Sequence, residues 1–311
     1  MRRPQVEPVE GLPERVTIYE VGARDGLQNE KQIVQVQDKA EFVRLLAHAG
    51  LETIEVTSFV SPRWVPQLAD AEALLDNLRG EGLGRHRPVL VPNERGLERA
   101  LARGVSAVAI FGSATESFSQ SNLNRSIAES IAGFAPVVSR AKDEGAWVRA
   151  YLSMCFGDPW EGDMPIAQVV DVARRLMDLG CDELSLGDTI GVATTGHVQR
   201  LIEALGDAGL SVDRLAVHFH DTYGQALANT LAALRQGVTI VDSSAGGLGG
   251  CPYAKSATGN LATEDLVWAL DGLGVQTGVD LKQLVAASVW MAGRLGRPSP
   301  SRVVKALQET V

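Results

Sequence analysis

Two histidines in a short apolar run are the residues of this chain best suited to chemistry. The run is LAVHFH, residues 215–220, and it holds His218 and His220, two of the five histidines in the chain. In a β-strand, side chains two positions apart point to the same face, so both imidazoles are predicted to face the same way. Such a pair supplies half of a divalent-metal site, although a core histidine beside a surface histidine is the commoner meaning of an isolated pair.

Polar residues after other predicted strands complete the candidate site. Arg24 and Asp25 follow the first predicted strand, and Asn260 follows the last one, beyond a glycine-rich loop. A carboxylate, two imidazoles and an amide oxygen form a mixed nitrogen and oxygen site, which favours Mg²⁺ or Mn²⁺, although Zn²⁺ or Co²⁺ could compete. Arg24 is either a plain ion-pair partner of Asp25 or a clamp for negative charge in the transition state.

Four further residues are candidates for the same site. Gln28, Glu55 and Ser185 are predicted substrate contacts together with Arg24, because each lies at or just beyond a predicted strand end. Cys251 lies in the glycine-rich loop, which reads GGLGGC over residues 246–251. This loop could cradle a phosphate, but no GK[ST] follows it; the other interpretation is a mobile lid that carries Cys251 as an acid–base group.

An alternation of strands and helices positions these residues. Strands are predicted at 16–21, 53–59, 88–91, 107–111, 148–154, 183–186, 215–218 and 240–242, with helices at 38–49, 97–103, 126–144, 166–179, 196–208 and 226–236. About eight such units predict an α/β fold, a (β/α)₈ TIM barrel, whose active site forms at the carboxyl ends of the strands. Helices near 281–295 and 301–307 are predicted as C-terminal additions. A doubly wound sheet is the alternative, but no GxGxxG follows the first strand.

Composition sets the domain organisation and excludes several classes of partner. We expect an N-terminal arm at 1–15 and a single catalytic barrel at 16–311, of which about 275–311 forms a helical cap. A net charge of −9 argues against nucleic-acid binding, and no apolar run is long enough to span a bilayer. The first residues lack a signal-peptide pattern, and three cysteines without a CxxC pair indicate free thiols. A cytoplasmic location is therefore expected.

Five segments closely resemble the 3-hydroxy-3-methylglutaryl-CoA lyase family. They span nearly the whole chain in order: EVGARDGLQNEK, IEVTSFVSPRWVPQLAD, LSLGDTIG, VHFHDTYGQALANTL and VDSSAGGLGGCPYAKSATGNLATEDLV. The HxHD motif alone marks a wider family of metal-dependent barrel lyases and synthases. The stretch GLGGCPYA followed by GNLATEDLV is far more specific to the lyases.

The resemblance implies cleavage of 3-hydroxy-3-methylglutaryl-CoA to acetoacetate and acetyl-CoA, a step in leucine degradation. It implies a divalent metal, Mg²⁺ or Mn²⁺, held by Asp25, His218, His220 and Asn260. Arg24 would bind the thioester or enolate oxygen, and Cys251 would be the catalytic acid. Asp25, Glu55 and His218 all remain candidates for the base. The expected partners are an acyl-CoA substrate and a second copy of the chain in a homodimer.

Departures from the family pattern leave the acyl group open. Relatives usually carry cysteine at the positions of Met154 and Asp158, lysine at Gln120 as a contact for CoA, and glycine at Ser256; Arg125 is a candidate substitute for that lysine. The nearest alternative is a lyase for another 3-hydroxy-3-alkylglutaryl-CoA or related acyl-CoA. A Claisen-condensing synthase, such as those making isopropylmalate or homocitrate, would carry a large C-terminal regulatory domain and lack the thiol. A non-catalytic metal- or acyl-CoA-binding protein is the third alternative.

Overall fold

The computed structural model describes residues 3–83, 86–250 and 259–310. In these ranges nine parallel strands form one sheet, in the order β2-β1-β9-β8-β7-β6-β5-β4-β3. Their bounds are β1 Thr17–Glu20, β2 Thr53–Ile54, β3 Thr57–Ser58, β4 Val89–Leu90, β5 Ala107–Ser113, β6 Trp147–Ser153, β7 Glu183–Asp188, β8 Leu215–Phe219 and β9 Ile240–Ser243.

The two strands at the ends of this order are halves of one barrel strand. β2 pairs with β1 on one side, while β3 pairs with β4 on the other. Between them, the Glu55 amide donates to the Glu20 carbonyl at 2.8 Å, and the Val56 amide donates to the Pro88 carbonyl at 3.0 Å. The segment 53–58 thus joins both edges, so the sheet closes into an eight-stranded barrel. The predicted (β/α)₈ fold is confirmed.

Eleven α-helices of the described ranges surround and extend the barrel. They are α1 Val36–His48, α2 Ala71–Asn77, α3 Glu94–Leu101, α4 Glu116–Leu123, α5 Ile127–Asp143, α6 Ile166–Met177, α7 Thr195–Asp207, α8 Ala226–Arg235, α9 Thr263–Gly272, α10 Leu281–Leu295 and α11 Arg302–Leu307. The eight predicted helices are all present, including α10 and α11 beyond the barrel. Helices α2, α4 and α9 were not predicted from the sequence. In α4 only Phe118 and Ser119 are buried, so its sequence carries little helical periodicity.

A charged layer fills the inside of the barrel below its carboxyl end. Arg149 on β6 is fully buried and pairs with Asp242 at 2.5 Å and with Glu183 at 2.9 Å. Its guanidinium lies 3.7 Å from the centre of the Tyr19 ring. Because a buried cation is tolerated only when it is well paired, this layer forms a fixed base beneath the site.

Both ends of the described chain pack against the barrel body. The Glu7 amide donates to the Gly272 carbonyl at 2.8 Å, and the Gln276 amide donates to the Glu14 carbonyl at 2.9 Å. At the other end, the Ser301 hydroxyl at the start of α11 donates to Asp265 of α9 at 2.6 Å. The division into arm, barrel and cap remains a prediction. None of the helices in the described ranges has the length and hydropathy needed to cross a membrane.

Candidate active site

A single π-helical turn directly after β1 carries the first two site residues. The turn spans Gly22–Gly26, and the Gly26 amide donates to the Val21 carbonyl five residues earlier at 3.0 Å. Such turns are often found at functional sites because the extra residue redirects side chains. Here both Arg24 and Asp25 line a cavity at the carboxyl end of the barrel.

Arg24 is held rigidly by two carboxylates. Its Nε and Nη2 donate to Glu55 Oε2 at 3.0 and 2.8 Å, and its Nη1 donates to Asp25 Oδ1 at 2.7 Å. The Tyr151 hydroxyl donates to the same Glu55 oxygen at 2.7 Å. Burial raises the pKa of Glu55, and the Arg24 charge opposes this effect. Glu55 is fully buried and is not among the cavity-lining residues, so the structure places it behind Arg24 rather than in contact with a ligand.

Three side-chain atoms that could bind a metal ion, from Asp25, His218 and His220, lie close together in the cavity wall. All three lie within 4.8 Å of one another, and the Nε2 atoms of the two imidazoles are 3.3 Å apart. Burial and, to a smaller extent, the charge of the neighbouring His218 together lower the pKa of His220 to about 4. Neutral imidazoles and an ionised carboxylate are the forms that bind metal ions.

Asp242 orients His218 from the side away from the cavity. His218 Nδ1 lies 3.1 Å from Asp242 Oδ2, and the Ser185 hydroxyl donates to the same oxygen at 2.9 Å. Burial opposes protonation of His218, but the hydrogen bond and charge of Asp242 outweigh it and raise the pKa. Ser185 is fully buried, so it supports Asp242 and does not reach the cavity, unlike the predicted substrate contact.

The segment after the glycine-rich loop returns to β8 and brings Asn260 beside the histidines. Asn260 forms an isolated bridge with His220, and its Nδ2 donates to Asp25 Oδ2 at 2.8 Å and to the Leu248 carbonyl at 3.1 Å. Gly249 has a φ of 106°, and a Cβ there would lie 2.6 Å from Asn260 Nδ2, so this approach requires glycine.

The donor set fits a divalent cation. Asn260 Oδ1 and His220 Nδ1 are buried without a hydrogen-bond partner among the described residues. An unpaired buried acceptor is costly, and a cation bound beside Asp25 and His218 would satisfy Asn260 Oδ1. A set of oxygen and imidazole ligands without a thiolate differs from the cysteine-rich sets of most structural zinc sites.

The cavity next to these donors has a volume of about 440 Å³. Its described lining is mixed: the polar residues include the predicted contact Gln28, and the apolar residues come mainly from β4, β5, β6, α4 and α5. Its described apolar lining includes Leu90, Phe111, Phe118, Leu123, Phe134 and Leu152.

Other predicted site residues have varied positions. Cys251 and Ser256 lie outside the described residues. Gly250, immediately before Cys251, lines the cavity, and its carbonyl accepts a hydrogen bond from Asn29 Nδ2 at 2.8 Å. The Asp158 carboxylate is fully engaged, accepting from the Thr115 hydroxyl at 2.7 Å and from two backbone amides of its own loop. It is therefore a loop anchor rather than a charge in the cavity.

Two residues that support the site were not identified from the sequence. Asp242 orients His218, and Tyr151 both lines the cavity and holds Glu55. Asp242 is the last residue of the eighth predicted strand. A carboxylate in this otherwise apolar strand could have identified it as a site residue. Tyr151 stands in the middle of β6 and carries no comparable signal.

Comparisons with known proteins agree with this geometry. The family model described as HMGL-like matches residues 15–290. A mitochondrial hydroxymethylglutaryl-CoA lyase from Arabidopsis thaliana is 51% identical over 97% of this chain, which spans 64% of that relative's length. A 3-hydroxy-3-isohexenylglutaryl-CoA/hydroxymethylglutaryl-CoA lyase from Pseudomonas aeruginosa is 51% identical over 95% of this chain and 98% of its own.

A solved structure is similar over the same extent. The crystal structure of hydroxymethylglutaryl-CoA lyase from Pseudomonas aeruginosa superposes with a TM-score of 0.93 at 50% identity, covering 97% of this chain and all of that one. Fold, site geometry and sequence similarity all point to the same conclusion: the chain belongs to the HMGL-like family of carbon–carbon lyases.

Proposed function

We propose that this protein is a metal-dependent lyase that cleaves 3-hydroxy-3-methylglutaryl-CoA to acetoacetate and acetyl-CoA. The observation that carries this proposal is the convergence of Arg24 with Asp25, His218 and His220 on one cavity at the barrel mouth. The substrate is inferred from the relatives, which are lyases of this thioester. The arrangement of side chains supports its cleavage at this site.

The reaction breaks the bond between C2 and C3 of the acyl group. The 3-hydroxyl loses its proton, C3 becomes the ketone carbon of acetoacetate, and the electron pair of the broken bond passes to C2 and the thioester carbonyl. The resulting acetyl-CoA enolate is then protonated at C2. The buried, fixed guanidinium of Arg24 lies in the cavity wall, where it opposes the negative charge that develops on the thioester oxygen.

The metal site and the proton-transfer groups complete this proposal. Asp25, His218, His220 and Asn260 would hold Mg²⁺ or Mn²⁺, which would supply Lewis acidity beside the reacting oxygens. Of the three candidate bases, Asp25 and His218 line the cavity, while Glu55 does not. We therefore restrict the base to Asp25 or His218. Cys251 is the proposed acid that protonates the enolate, since a thiol is a suitable proton donor near neutral pH.

Turnover with and without metal tests the proposal. The purified protein should release acetoacetate and acetyl-CoA in the presence of Mg²⁺ or Mn²⁺, lose activity with a chelator, and recover it on metal addition. His220→Ala should abolish Mn²⁺ binding in isothermal titration, whereas His48→Ala, an exposed histidine on α1, should not. Full activity in excess chelator, or unchanged Mn²⁺ affinity of His220→Ala, would contradict it.

A second candidate substrate is a 3-hydroxy-3-alkylglutaryl-CoA with an alkyl group longer than methyl. The apolar lining residues of the cavity, with Phe111, Phe118 and Phe134 among them, offer more apolar surface than a methyl group needs. The Pseudomonas aeruginosa relative is named for both methyl and isohexenyl substrates. Measuring kcat/KM for a series of 3-hydroxy-3-alkylglutaryl-CoA thioesters tests this candidate; a steep fall from methyl to longer groups would exclude it.

We also propose a cytoplasmic homodimer, on the family resemblance alone. Light scattering coupled to size-exclusion chromatography would test the dimer, since a monomeric mass at micromolar concentration would contradict it. Metal analysis of protein purified without added metal would identify the ion.

A further inference from the structure

The cationic side chain of Arg125 lies at the cavity edge. Arg125 stands between α4 and α5, where Asn124 adopts a left-handed conformation with φ 54° and ends α4. The Ser119 hydroxyl donates to the Arg125 carbonyl at 2.8 Å and fixes this backbone. Arg125 lines the cavity, and no described residue forms a hydrogen bond or ion pair with its guanidinium.

A glycine on α5 determines where this guanidinium lies. A Cβ built on Gly133 would lie 2.6 Å from Arg125 Nη1 and 3.8 Å from Arg125 Cζ. The Arg125 side chain therefore runs along α5 and rests on the bare backbone at Gly133. Ser130 and Phe134, on either side of Gly133, both line the cavity.

Among the described residues that line the cavity, Arg125 is the arginine that forms no ion pair with a described carboxylate. The other arginine among the described lining residues, Arg24, forms ion pairs with Glu55 and Asp25. The chain as a whole carries a net charge of −9, so a strongly anionic ligand such as CoA needs a local positive group to offset repulsion. Guanidinium groups bind phosphate oxygens through paired hydrogen bonds.

We propose that Arg125, held in place by Gly133, binds a phosphate group of the CoA moiety and sets the affinity for CoA over smaller thioester carriers. The proposal rests on the function proposed above. It assigns binding and not chemistry to Arg125, so it predicts an effect on KM and on CoA affinity while kcat is unchanged.

Two thioesters and three variants test the proposal. For Arg125→Gln, KM for 3-hydroxy-3-methylglutaryl-CoA should rise roughly five- to tenfold, the size expected for one partly screened charge-assisted hydrogen bond. KM for the corresponding pantetheine thioester, which lacks every phosphate, should not change. Gly133→Ala should raise KM in the same selective way, because its methyl group takes the place of the guanidinium, without lowering Tm, since alanine favours a helix. Arg140→Gln, on the exposed end of α5, should match the wild type.

Titration of CoA itself separates this proposal from the proposed reaction. CoA should bind Arg125→Gln more weakly than the wild type, and the difference should shrink as salt is raised. Equal CoA affinity of the two proteins, or an equal rise in KM for both thioesters, would overturn the role of Arg125. If the wild type binds CoA in this way but does not cleave the acyl thioester, the proposed reaction fails and the phosphate contact stands.

Discussion

Replacing Arg24 with lysine keeps the charge and removes the geometry, which makes it a demanding test of the site. Arg24 joins Glu55 and Asp25 through three hydrogen bonds of 2.7–3.0 Å. A lysine ammonium is a single point on a flexible stem, so it cannot bridge both carboxylates and also face the thioester oxygen. Losing one preorganised donor to a developing oxyanion typically lowers kcat by on the order of 10²–10³-fold, and Arg24→Lys should fall in that range, close to Arg24→Ala.

Steady-state kinetics with saturating Mg²⁺ would measure this loss, which should appear in kcat. The matched control is Arg44→Lys, because Arg44 makes a similar fork to Glu81 on the outside of the barrel, at 2.7 and 2.9 Å. The control should retain activity within roughly twofold, as expected for a surface substitution. If Arg24→Lys kept more than roughly a tenth of the wild-type kcat, the assignment of Arg24 as the enolate clamp would be wrong.

Three further predictions concern the groups around the site. Asp242→Asn should weaken Mn²⁺ binding in isothermal titration by about 10–100-fold, since Asp242 orients His218; unchanged affinity would remove that role. Burial raises the pKa of Glu264 from 4.5 to about 8, so the folded protein holds a proton that the unfolded chain releases, and stability falls as pH rises through that window. Glu264→Gln should lack this pH-dependent loss of stability, so its Tm relative to that of the wild type should increase between pH 5 and pH 8. A difference in Tm that stays constant over this range would contradict the buried proton. Alkylating reagents should modify Cys251 first, because the other two cysteines are buried with raised pKa values; Cys251→Ser should lose most turnover at normal Mn²⁺ affinity, and first modification of either buried thiol would refute this.

The parts of the site that follow from strand ends could be predicted from the sequence. Arg24, Asp25 and His218 each lie at the end of a predicted strand or shortly after it, and Asn260 follows the last strand beyond the glycine-rich loop. Parallel strands bring their carboxyl ends together. The prediction therefore needed only the order of strands and helices. The π-helical turn that carries Arg24 and Asp25 was not predicted, since hydrogen bonds between residues five apart, such as that from Gly26 to Val21, define it and no pattern in the sequence marks them.

The supporting contacts could not be predicted, because they join residues far apart in the chain. Ser185 and Glu55 occupy strand ends like true ligand contacts, yet Ser185 donates to Asp242 and Glu55 accepts from Arg24 and Tyr151. Which of two neighbouring strand residues faces the cavity depends on barrel tilt and packing. The spacing of residues in the sequence gives no information on barrel tilt or packing. It therefore cannot distinguish a residue that contacts the ligand from the residue that supports it.

Isotope incorporation during turnover tests the central claim, carbon–carbon cleavage through a thioester enolate, most directly. When 3-hydroxy-3-methylglutaryl-CoA is cleaved in D₂O with Mg²⁺, the acetyl-CoA analysed by mass spectrometry should carry one deuterium in its methyl group, since the enolate takes a single proton from a group that exchanges with solvent. Acetoacetate should appear in equal amount. Acetyl-CoA without deuterium, or free 3-hydroxy-3-methylglutarate or a dehydrated thioester in place of these products, would contradict the account.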